Sequence, residues 1–528
     1  MTFKILITGA LHPLALETFA GDAEAEVDYR PDLPYEEIVG LISGYDAIVS
    51  RSETRITREM IDAGTRLKVI ARAAVGFGNI DVDYATEKGI LVINTPGKNT
   101  NSAAELTLGL MLAAMRKVVP AHKRLESQGW ERHQFLGTEL MGKVIGIVGL
   151  GNVGHRVARF AHAFDMEVLA YDPYIADEVF DLHHAHKCNL EEMLSRADIL
   201  TVHVPLTDET RNMIGEAELA RLNEGAIVLN TARGGVIDEA ALLEGLRSGR
   251  IGAAGIDTWV VEPPTDNPFA DLPNVVMTPH IGASTAEAQR RIAESIAEQT
   301  LRALRDEVVD YPVNMPRLKV ITNPRVKSYV VLAEKLGAFA VQSLDFNPRR
   351  VEIKYRGELS SEEGLMVRRA FLKGFLRNTA DEAITFVNAE TKAAERHIEM
   401  VDTDDPGFTD YQSAVQFTVN DHEHNFKIGG VVFGEKNYRL SQVNDFTFEV
   451  IPEGILLWVI NNDRPGVIRD IGGVLANNEI NISQFELSRN MPGGQAMSLL
   501  RVDTPVDDTV LEALRSIRNV VSVRRIII

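Results

Sequence analysis

Cysteine is nearly missing from this chain, which has a single one, Cys188, among 528 residues. One cysteine cannot form an intrachain disulfide, and this fits a protein kept in a reducing compartment. The sequence also lacks any run of 18 or more apolar residues, the length that a membrane-spanning helix needs. Its start contains neither a basic segment nor an apolar stretch of signal-peptide length. We therefore expect a cytoplasmic protein with no membrane partner.

Basic residues are too few for a protein whose main partner is nucleic acid. Lys and Arg number 55 against 75 Asp and Glu, which gives a net charge of -20 at pH 7. Such a surface repels phosphate backbones at long range, so we expect no nucleic-acid partner. A local basic pocket for a small anion remains compatible with this charge.

Two histidine-rich segments lack the spacing that a metal site requires. Residues 183–188 read His-His-Ala-His-Lys-Cys, and residues 422–424 read His-Glu-His. Neither has the paired spacing of a zinc site, and no carboxylate-histidine helix pair accompanies them. We interpret both segments as loops and expect no metal.

The first 312 residues alternate short β-branched runs with helical stretches, a pattern typical of parallel α/β sheets. Strands are predicted in two groups, at 4–8, 46–50, 68–71 and 90–93, and at 144–149, 167–171, 198–204, 226–230, 252–257 and 275–278. Helices are predicted at 102–117 and 284–307, and the second should lead back to the first group. We therefore expect a first domain of residues 1–98 plus 286–312 and a dinucleotide-binding domain of residues 99–285.

A glycine motif marks the second group of strands. Val144–Val148 precede Gly149-Leu-Gly151-Asn152-Val153-Gly154, and residues 155–164 have helical spacing. These glycines permit a tight turn, close approach of a pyrophosphate and close packing of helix on strand, with Asn152 and Val153 at the helix start. The next strand ends at Asp172, whose carboxylate can bind a ribose 2′-OH and repel a 2′-phosphate. The motif predicts NAD as the cofactor, in preference to NADP.

Three further motifs follow successive strands of the same group. They are Asn230-Thr-Ala-Arg233-Gly-Gly235, Asp257-Thr-Trp-Val-Val-Glu262-Pro-Pro264 and Thr278-Pro-His280. A histidine can take the hydroxyl proton when an alcohol is oxidised, a carboxylate can orient that histidine, and an arginine can bind a substrate carboxylate bidentately. The strand ends of an open α/β sheet are where such groups converge.

Together with the glycine loop, these motifs closely resemble the D-isomer-specific 2-hydroxyacid dehydrogenase family over residues 1 to about 310. The resemblance implies that Arg233 holds the substrate carboxylate, that Glu262 orients and charges the histidine, and that His280 is the acid/base. It also implies that Thr231 and Asp257 contribute to the cofactor site.

Arginines beyond Arg233 point to a second anion on the substrate. With the C-terminal half, the pattern resembles the long members of this family, which act on D-3-phosphoglycerate at the start of serine synthesis. The resemblance implies that the substrate-binding residues are Arg51, Arg72, Val75, Gly76, Asn99 and Arg132, with Arg132 reaching from a neighbouring subunit. A solvated or structural role for each arginine stays open. A glyoxylate or hydroxypyruvate reductase, and a non-catalytic NAD-sensing corepressor-like protein, are the alternatives for the whole chain.

The C-terminal half predicts two further domains after a Pro-flanked linker at residues 311–316. Residues 317–452 are mixed α+β and resemble the intervening domain of the long enzymes; Arg349, Arg350 and Lys354 form either an anion-binding cluster or a solvated strand edge. Residues 453–528 have the ferredoxin-like βαββαβ order and resemble an ACT regulatory domain. The resemblance implies an L-serine effector bound by Asn461, Asp463 and Asn481 between paired copies, in a homotetramer. A purely structural dimerisation domain is the alternative.

Overall fold

The computed structural model describes residues 2–305, 307, 309–315, 324–357, 359, 361–377, 384–405 and 413–528, with only the backbone described at 324 and 361–363. The predicted start of the intervening domain at residue 317 lies outside these residues. Among the described residues, no helix combines the length and the apolar character needed to cross a bilayer. The fold class is confirmed: two parallel-sheet α/β units precede two units with largely antiparallel sheets.

The N-terminal unit is a five-stranded parallel sheet in the order β2-β1-β3-β4-β5. Its strands are β1 (Phe3–Ile7), β2 (Ala25–Tyr29), β3 (Ala47–Ser50), β4 (Val69–Arg72) and β5 (Leu91–Ile93). Its helices are α1 (Pro13–Ala20), α2 (Tyr35–Leu41), α3 (Arg58–Ala63) and α4 (Val82–Glu87), with a 3-10 turn at Ile42–Gly44. Strand β2 is missing from the sequence prediction, because Ala25-Glu-Val-Asp-Tyr29 is a half-exposed edge strand with two charged residues.

The next unit is a seven-stranded parallel sheet in the order β12-β11-β10-β9-β6-β7-β8. Its strands are β6 (Val144–Val148), β7 (Glu167–Tyr171), β8 (His186–Lys187), β9 (Ile199–Val202), β10 (Ala226–Asn230), β11 (Ile251–Ile256) and β12 (Val275–Met277). Its helices are α5 (Thr100–Met115), α6 (Val118–Glu126), α7 (Gly154–Ala163), α8 (Asp177–Leu182), α9 (Leu190–Arg196), α10 (Glu216–Arg221) and α11 (Glu239–Ser248), with a 3-10 turn at Arg132–Phe135. The strand order reverses between β6 and β9, which is where such sheets bind ligands.

One segment of this sheet corrects the sequence interpretation. The sequence predicts a loop at residues 183–188, but His186 and Lys187 pair in parallel with Leu169 and Ala170 and form the edge strand β8. Both residues are exposed, so their side chains carry no burial pattern that would mark a strand. Residues 422–424 do form a turn, between two strands of the following unit.

Helix α12 (Ala286–Leu304) returns the chain to the N-terminal sheet. Its buried face, including Ile292 and Ile296, shares a core with Phe19 of α1 and with β1, β3 and β4. The predicted linker after it is hydrogen-bonded to the N-terminal sheet. Val313 donates its amide to Val92, and the Asn314 side chain accepts the Val92 amide at 2.9 Å, so the segment is held along β5.

The hydrophobic core of the third unit extends onto one face of the fourth unit's sheet, and the helices of the fourth unit cover a separate core on the other face. The third contains α13 (Pro324–Ser343), β13 (Arg350–Gly357), α14 (Ser361–Leu376), α15 (Ala389–Glu395), β14 (Glu399–Asp405), β15 (Ser413–Asn420), β16 (Asn425–Phe433), β17 (Asn437–Val443) and β18 (Phe446–Val450). The fourth contains β19 (Ile455–Asn462), α16 (Val467–Asn477), β20 (Ile482–Arg489), β21 (Gln495–Val502), α17 (Asp508–Arg515) and β22 (Val520–Ile527), which confirms the βαββαβ order. Trp458 of β19 packs against Phe339 of α13 and Phe426 of β16.

Candidate active site

The glycine loop lies between β6 and α7. The surroundings of each glycine show what a larger side chain at that position would meet. Gly149 has φ +90, and a Cβ built on it would lie 2.7 Å from Val204. A Cβ on Gly154 would lie 2.0 Å from the Gly149 carbonyl oxygen, so helix and strand could not pack this closely with any larger residue. A Cβ on Gly151 would meet no heavy atom within 4 Å, and this open side leaves room for a pyrophosphate.

Asp172 directly follows β7 and is attached to the glycine loop. Its Oδ2 accepts the Leu150 amide at 3.0 Å, and its Oδ1 accepts the Tyr174 amide at 3.0 Å. The carboxylate is thus held beside the loop, where the ribose of a bound dinucleotide lies. Thr231, after β10, is buried, and its hydroxyl lies 2.7 Å from that of Thr107 in α5. Asn152, in contrast, is exposed.

His280 and Glu262 form a hydrogen-bonded pair. Nδ1 of His280 lies 2.8 and 2.9 Å from the two carboxylate oxygens of Glu262. Burial raises the pKa of Glu262, but the hydrogen bonds from His280 and from the Trp259 amide outweigh it and hold the pKa below its ordinary value. The carboxylate therefore stays ionised at neutral pH. The pair leaves Nε2 of His280 available for a substrate.

Asp257 has a role in this arrangement that the sequence prediction missed. It is fully buried after β11, and its oxygens accept the Thr278 hydroxyl at 2.6 Å and the amides of Ile281 and Gly282 at 2.7 and 2.9 Å. These bonds grip the loop on both sides of His280, which has φ +52. Predicted as a cofactor ligand, Asp257 in this structure has both oxygens engaged in positioning the histidine.

Arg233, after β10, faces the loop of the N-terminal unit that follows β4. A Cβ built on Gly76 would lie 3.2 Å from Nη2 of Arg233, so the two groups meet across the cleft. Burial lowers the pKa of Arg233, and the charge of Glu262 opposes that shift. The Gly76 loop is itself held by Asn94, which belongs to no sequence motif and whose side-chain amide donates to the Val75 carbonyl at 2.7 Å.

The remaining predicted arginines lie in different environments. Nη1 of Arg51 donates to Gln289 of α12 at 2.6 Å and to the Ala10 carbonyl at 3.0 Å, which ties it to the helix that follows the His280 loop. Arg132 begins an exposed 3-10 turn, and no hydrogen bond among the described residues links it to the other arginines. Asn99 is half-buried at the start of α5.

Arg72 differs from the prediction. It is fully buried, and its Nη2 donates to the Thr54 carbonyl at 2.9 Å and to Asn79 at 2.8 Å. Burial lowers its pKa to about 10, and the charge of Glu53 opposes that shift. With no exposed surface, Arg72 cannot contact a substrate in this structure. It stabilises instead the 51–54 loop that carries Arg51.

The predicted effector residues are not neighbours within one chain. Asp463 precedes α16 and pairs with Arg489 at 3.4 Å, whereas Asn481 follows α16 and donates to Asp503 at 2.6 Å. The 11 residues of α16 separate them by about 16 Å at 1.5 Å per residue. One amino acid therefore cannot contact both residues within a single copy, and the predicted site between paired copies stays a prediction. Asn461 lies near Asp463, and its Oδ1 is buried with no hydrogen-bond partner in the described structure.

Among the described residues, no group of three or more His, Cys, Asp or Glu side chains is arranged to hold a metal ion.

Three family models match successive parts of the chain. Residues 108–282 match the NAD-binding domain of the D-isomer-specific 2-hydroxyacid dehydrogenases, residues 325–444 the intervening domain of D-3-phosphoglycerate dehydrogenase, and residues 456–519 the ACT domain. The first match covers the glycine loop, Asp172, Arg233, Glu262 and His280. The open glycine loop and the attached carboxylate fit the NAD that this family binds, and NAD is the cofactor.

Curated relatives match over nearly the whole length. The D-3-phosphoglycerate dehydrogenase of Methanocaldococcus jannaschii is 41% identical over 98% of each chain. That of Bacillus subtilis is 35% identical over 91% of this chain and 92% of its own.

Solved structures match about three fifths of the chain. A protein of Thermus thermophilus has a TM-score of 0.54 at 36% identity, covering 59% of this chain and 99% of its own. The D-lactate dehydrogenase of Aquifex aeolicus, solved with NAD and lactic acid, has a TM-score of 0.53 at 27% identity over 59% and 99%. The chain is thus an NAD-dependent dehydrogenase and belongs to the D-3-phosphoglycerate dehydrogenases of the D-isomer-specific 2-hydroxyacid dehydrogenase family.

Proposed function

We propose that the chain oxidises D-3-phosphoglycerate to 3-phosphohydroxypyruvate with NAD, the first step of L-serine biosynthesis. The observation that carries this proposal is the His280–Glu262 pair at 2.8 Å, on the same sheet edge as Arg233 and opposite the Gly76 loop. These are the groups that oxidation of a 2-hydroxy acid needs. The long relatives named above, similar over nearly the whole chain, support the phosphorylated substrate.

In this mechanism each group has one task. Arg233 binds the substrate carboxylate through its guanidinium, and the amides of Val75 and Gly76 donate to the same carboxylate. This orients C2 with its hydroxyl toward His280. Nε2 of His280 takes the hydroxyl proton, and Nδ1 keeps its proton in the hydrogen bond to Glu262, whose charge stabilises the imidazolium. Bound NAD supplies the acceptor for the hydride that leaves C2.

We propose that Arg51 binds the phosphate at the far end of the substrate and that Arg132 of a neighbouring subunit assists. Asn99, at the start of α5, contributes a polar contact. This role is supported by the hydrogen bonds through which the Arg72–Asn79 network holds the loop of Arg51 and Gln289 holds its guanidinium. The backbone amides of Gly151, Asn152 and Val153 are proposed to contact the cofactor. Four further residues shape the site around them: Gly149, Gly154, Asp172 and Thr231. Asp257 supports the site indirectly, by holding the loop of His280.

The test is a substrate panel with both nicotinamide cofactors. We expect NADH formation with D-3-phosphoglycerate at a kcat/KM at least tenfold above that with D-glycerate or D-lactate, and weaker turnover with NADP. Preference for glyoxylate or hydroxypyruvate in the reverse direction would replace this proposal with a reductase. NAD binding without turnover of any hydroxy acid would replace it with a sensor.

We also propose a cytoplasmic homotetramer that L-serine inhibits, and a division of the chain into residues 1–98 plus 286–312, 99–285, 317–452 and 453–528. Because α16 separates Asp463 from Asn481, one serine can contact both only when the start of α16 in one copy faces its end in another. A helix start and Asp463 then meet the carboxylate and ammonium of the ligand.

Serine inhibition is tested with single variants of the full chain. We expect Asp463→Ala and Asn481→Ala each to abolish inhibition. Co-expression of the two variants should restore part of it, since some interfaces then combine an intact Asp463 with an intact Asn481. Failure of the mixture to recover, with both single variants insensitive and tetrameric, would contradict a site shared between copies. An insensitive parent that binds no serine in calorimetry would make the domain an assembly module.

A further inference from the structure

A cavity of about 490 Å³ lies where the chain crosses between the two α/β units. Three separate parts of the chain form its wall. They are the crossover segment at residues 96–101, the glycine loop and first turn of α7, and Arg291 of α12 together with Tyr311. The crossover and the glycine loop nearly touch, since a Cβ built on Gly97 would lie 3.7 Å from the side-chain amide nitrogen of Asn152. The cavity therefore spans both units at their hinge.

The charges around this hinge cavity all have one sign. Lys98, Arg156 and Arg291 line it, and no carboxylate does. Among the described residues, no Asp or Glu lies within ion-pair distance of any of the three. This is unusual in a chain with 20 more acidic than basic residues. By contrast, Arg302, which lies farther along α12 and outside the cavity, pairs with Asp310.

The three cations are half-buried, and contacts within the wall orient two of them, Arg291 and Lys98. Nε of Arg291 donates to the Lys98 carbonyl at 3.0 Å, so the guanidinium is oriented while its terminal nitrogens keep their donors. The Lys98 ammonium lies 5.5 Å from the centre of the Tyr311 ring. Holding like charges together in this way costs free energy that a bound anion recovers.

Neutral polar groups complete the cavity wall. Asn152, Thr100 and Asn101 contribute amide and hydroxyl groups. His155 also lines the cavity, and its Nδ1 bonds the Gly151 carbonyl at 2.8 Å. Burial lowers the pKa of His155, and the hydrogen bond to Gly151 opposes that shift. The ring is therefore largely neutral at pH 7, and the cavity's positive charge comes from Lys98, Arg156 and Arg291.

We propose that the hinge cavity binds a phosphate dianion, either inorganic phosphate or the phosphate group of a monoester, in addition to the NAD pyrophosphate. The pyrophosphate is assigned to backbone amides of the glycine loop, whereas this cavity extends from Asn152 to Arg291 and Tyr311 on the N-terminal unit. A dianion there is bound by groups from both units and from the crossover between them. It should therefore stabilise one relative arrangement of the units.

The test compares two double variants of the full-length chain with equal changes in charge. Arg156→Gln with Arg291→Gln removes two cavity cations. Arg159→Gln with Arg290→Gln removes two exposed arginines of the same helices that do not line the cavity. Inorganic phosphate and glycerol 3-phosphate are each titrated by calorimetry, with chloride at matched ionic strength as the blank and saturating NAD present.

We expect saturable binding of phosphate to the parent and the control, and at least tenfold weaker binding to the cavity variant. Tighter binding of glycerol 3-phosphate would identify a monoester as the preferred ligand, and equal or tighter binding of phosphate would identify the free ion. Equal binding by all three proteins, or none by the parent, overturns the proposal. The proposal is also overturned if phosphate binds without NAD but not with NAD, because the cavity would then be part of the cofactor site. NAD affinity of each variant, measured separately, checks that it is folded.

Discussion

Replacing Glu262 with Gln tests the central claim about the active site, that a charged carboxylate supports His280. Glutamine is nearly isosteric, and its amide oxygen can still accept from Nδ1 of His280 and from the Trp259 amide, which both reach Oε1 of Glu262, at 2.9 and 3.1 Å. The change removes the negative charge and leaves the loop in place. Its effect on catalysis therefore measures what the charge contributes when His280 becomes protonated.

The size of the effect follows from the geometry. A hydrogen bond to a charged group contributes about 1.5–3 kcal/mol. The two side chains are 43% and 39% exposed, so water screens the charge and the lower part of the range applies. A transition-state loss of about 1.5–2 kcal/mol corresponds to roughly a 10- to 30-fold decrease in kcat. KM for NAD should change little, because Glu262 is not among the proposed cofactor contacts.

The matched control is Glu239→Gln. Glu239 accepts the Val260 amide at 2.8 Å, so it braces the same loop through one hydrogen bond without touching His280. Steady-state NADH formation from 3-phosphoglycerate is measured for the parent and both variants. If Glu262→Gln stays within twofold of the parent, or if Glu239→Gln loses as much, the charge on Glu262 is not what supports the histidine.

Four further outcomes are expected. His280→Ala should lower kcat by ~10²–10⁴-fold with NAD affinity kept, and near-normal turnover would exclude it as the base. Asp172→Ala should reduce the NAD over NADP preference in kcat/KM about tenfold, and an unchanged ratio would remove it from the ribose site. Arg51→Ala and Arg132→Ala should each lower kcat/KM for 3-phosphoglycerate by about 10- to 100-fold but spare D-lactate, whereas equal losses would make them structural. The folded protein lowers the pKa of Glu262, so this carboxylate adds stability above its unfolded pKa, and that stability is lost as the pH falls through its folded pKa. Glu262→Gln should therefore make Tm fall less steeply with decreasing pH in the acid range, and an unchanged dependence would contradict this.

The convergence of Arg233, Glu262 and His280 was predictable because it follows from strand order. Their motifs follow β10, β11 and β12, which are consecutive in the chain and adjacent in the sheet. Parallel neighbours end at the same edge, so residues just beyond the ends meet without further information. The glycine loop and Asp172 are related in the same way, through β6 and β7.

Features that depend on where a single side chain points were not predictable. Arg72 is the last residue of β4, and Arg233 lies three residues beyond the end of β10. Their positions in the sequence are therefore similar, and only the packing around them makes Arg72 buried and turns Arg233 toward the cleft. Asp463 and Asn481 both lie in turns, and their residue types suit an amino-acid ligand. The residue types do not show that the length of α16 keeps them apart. Asn94 shows no motif at all, because its partner is a backbone carbonyl of a loop 19 residues away.

The structure also couples the proposed phosphate contact to the acid/base loop. Arg51 donates to the amide oxygen of Gln289, and the amide nitrogen of Gln289 donates to the Ala283 carbonyl at 2.9 Å. Ala283 lies three residues after His280, on the segment that crosses back to the N-terminal unit. One glutamine thus bonds both the phosphate-binding candidate and the segment that carries the base. If Arg51 binds the phosphate as proposed, we expect Gln289 to transmit that contact to the segment that carries His280. A hydroxy acid without the phosphate lacks this contact.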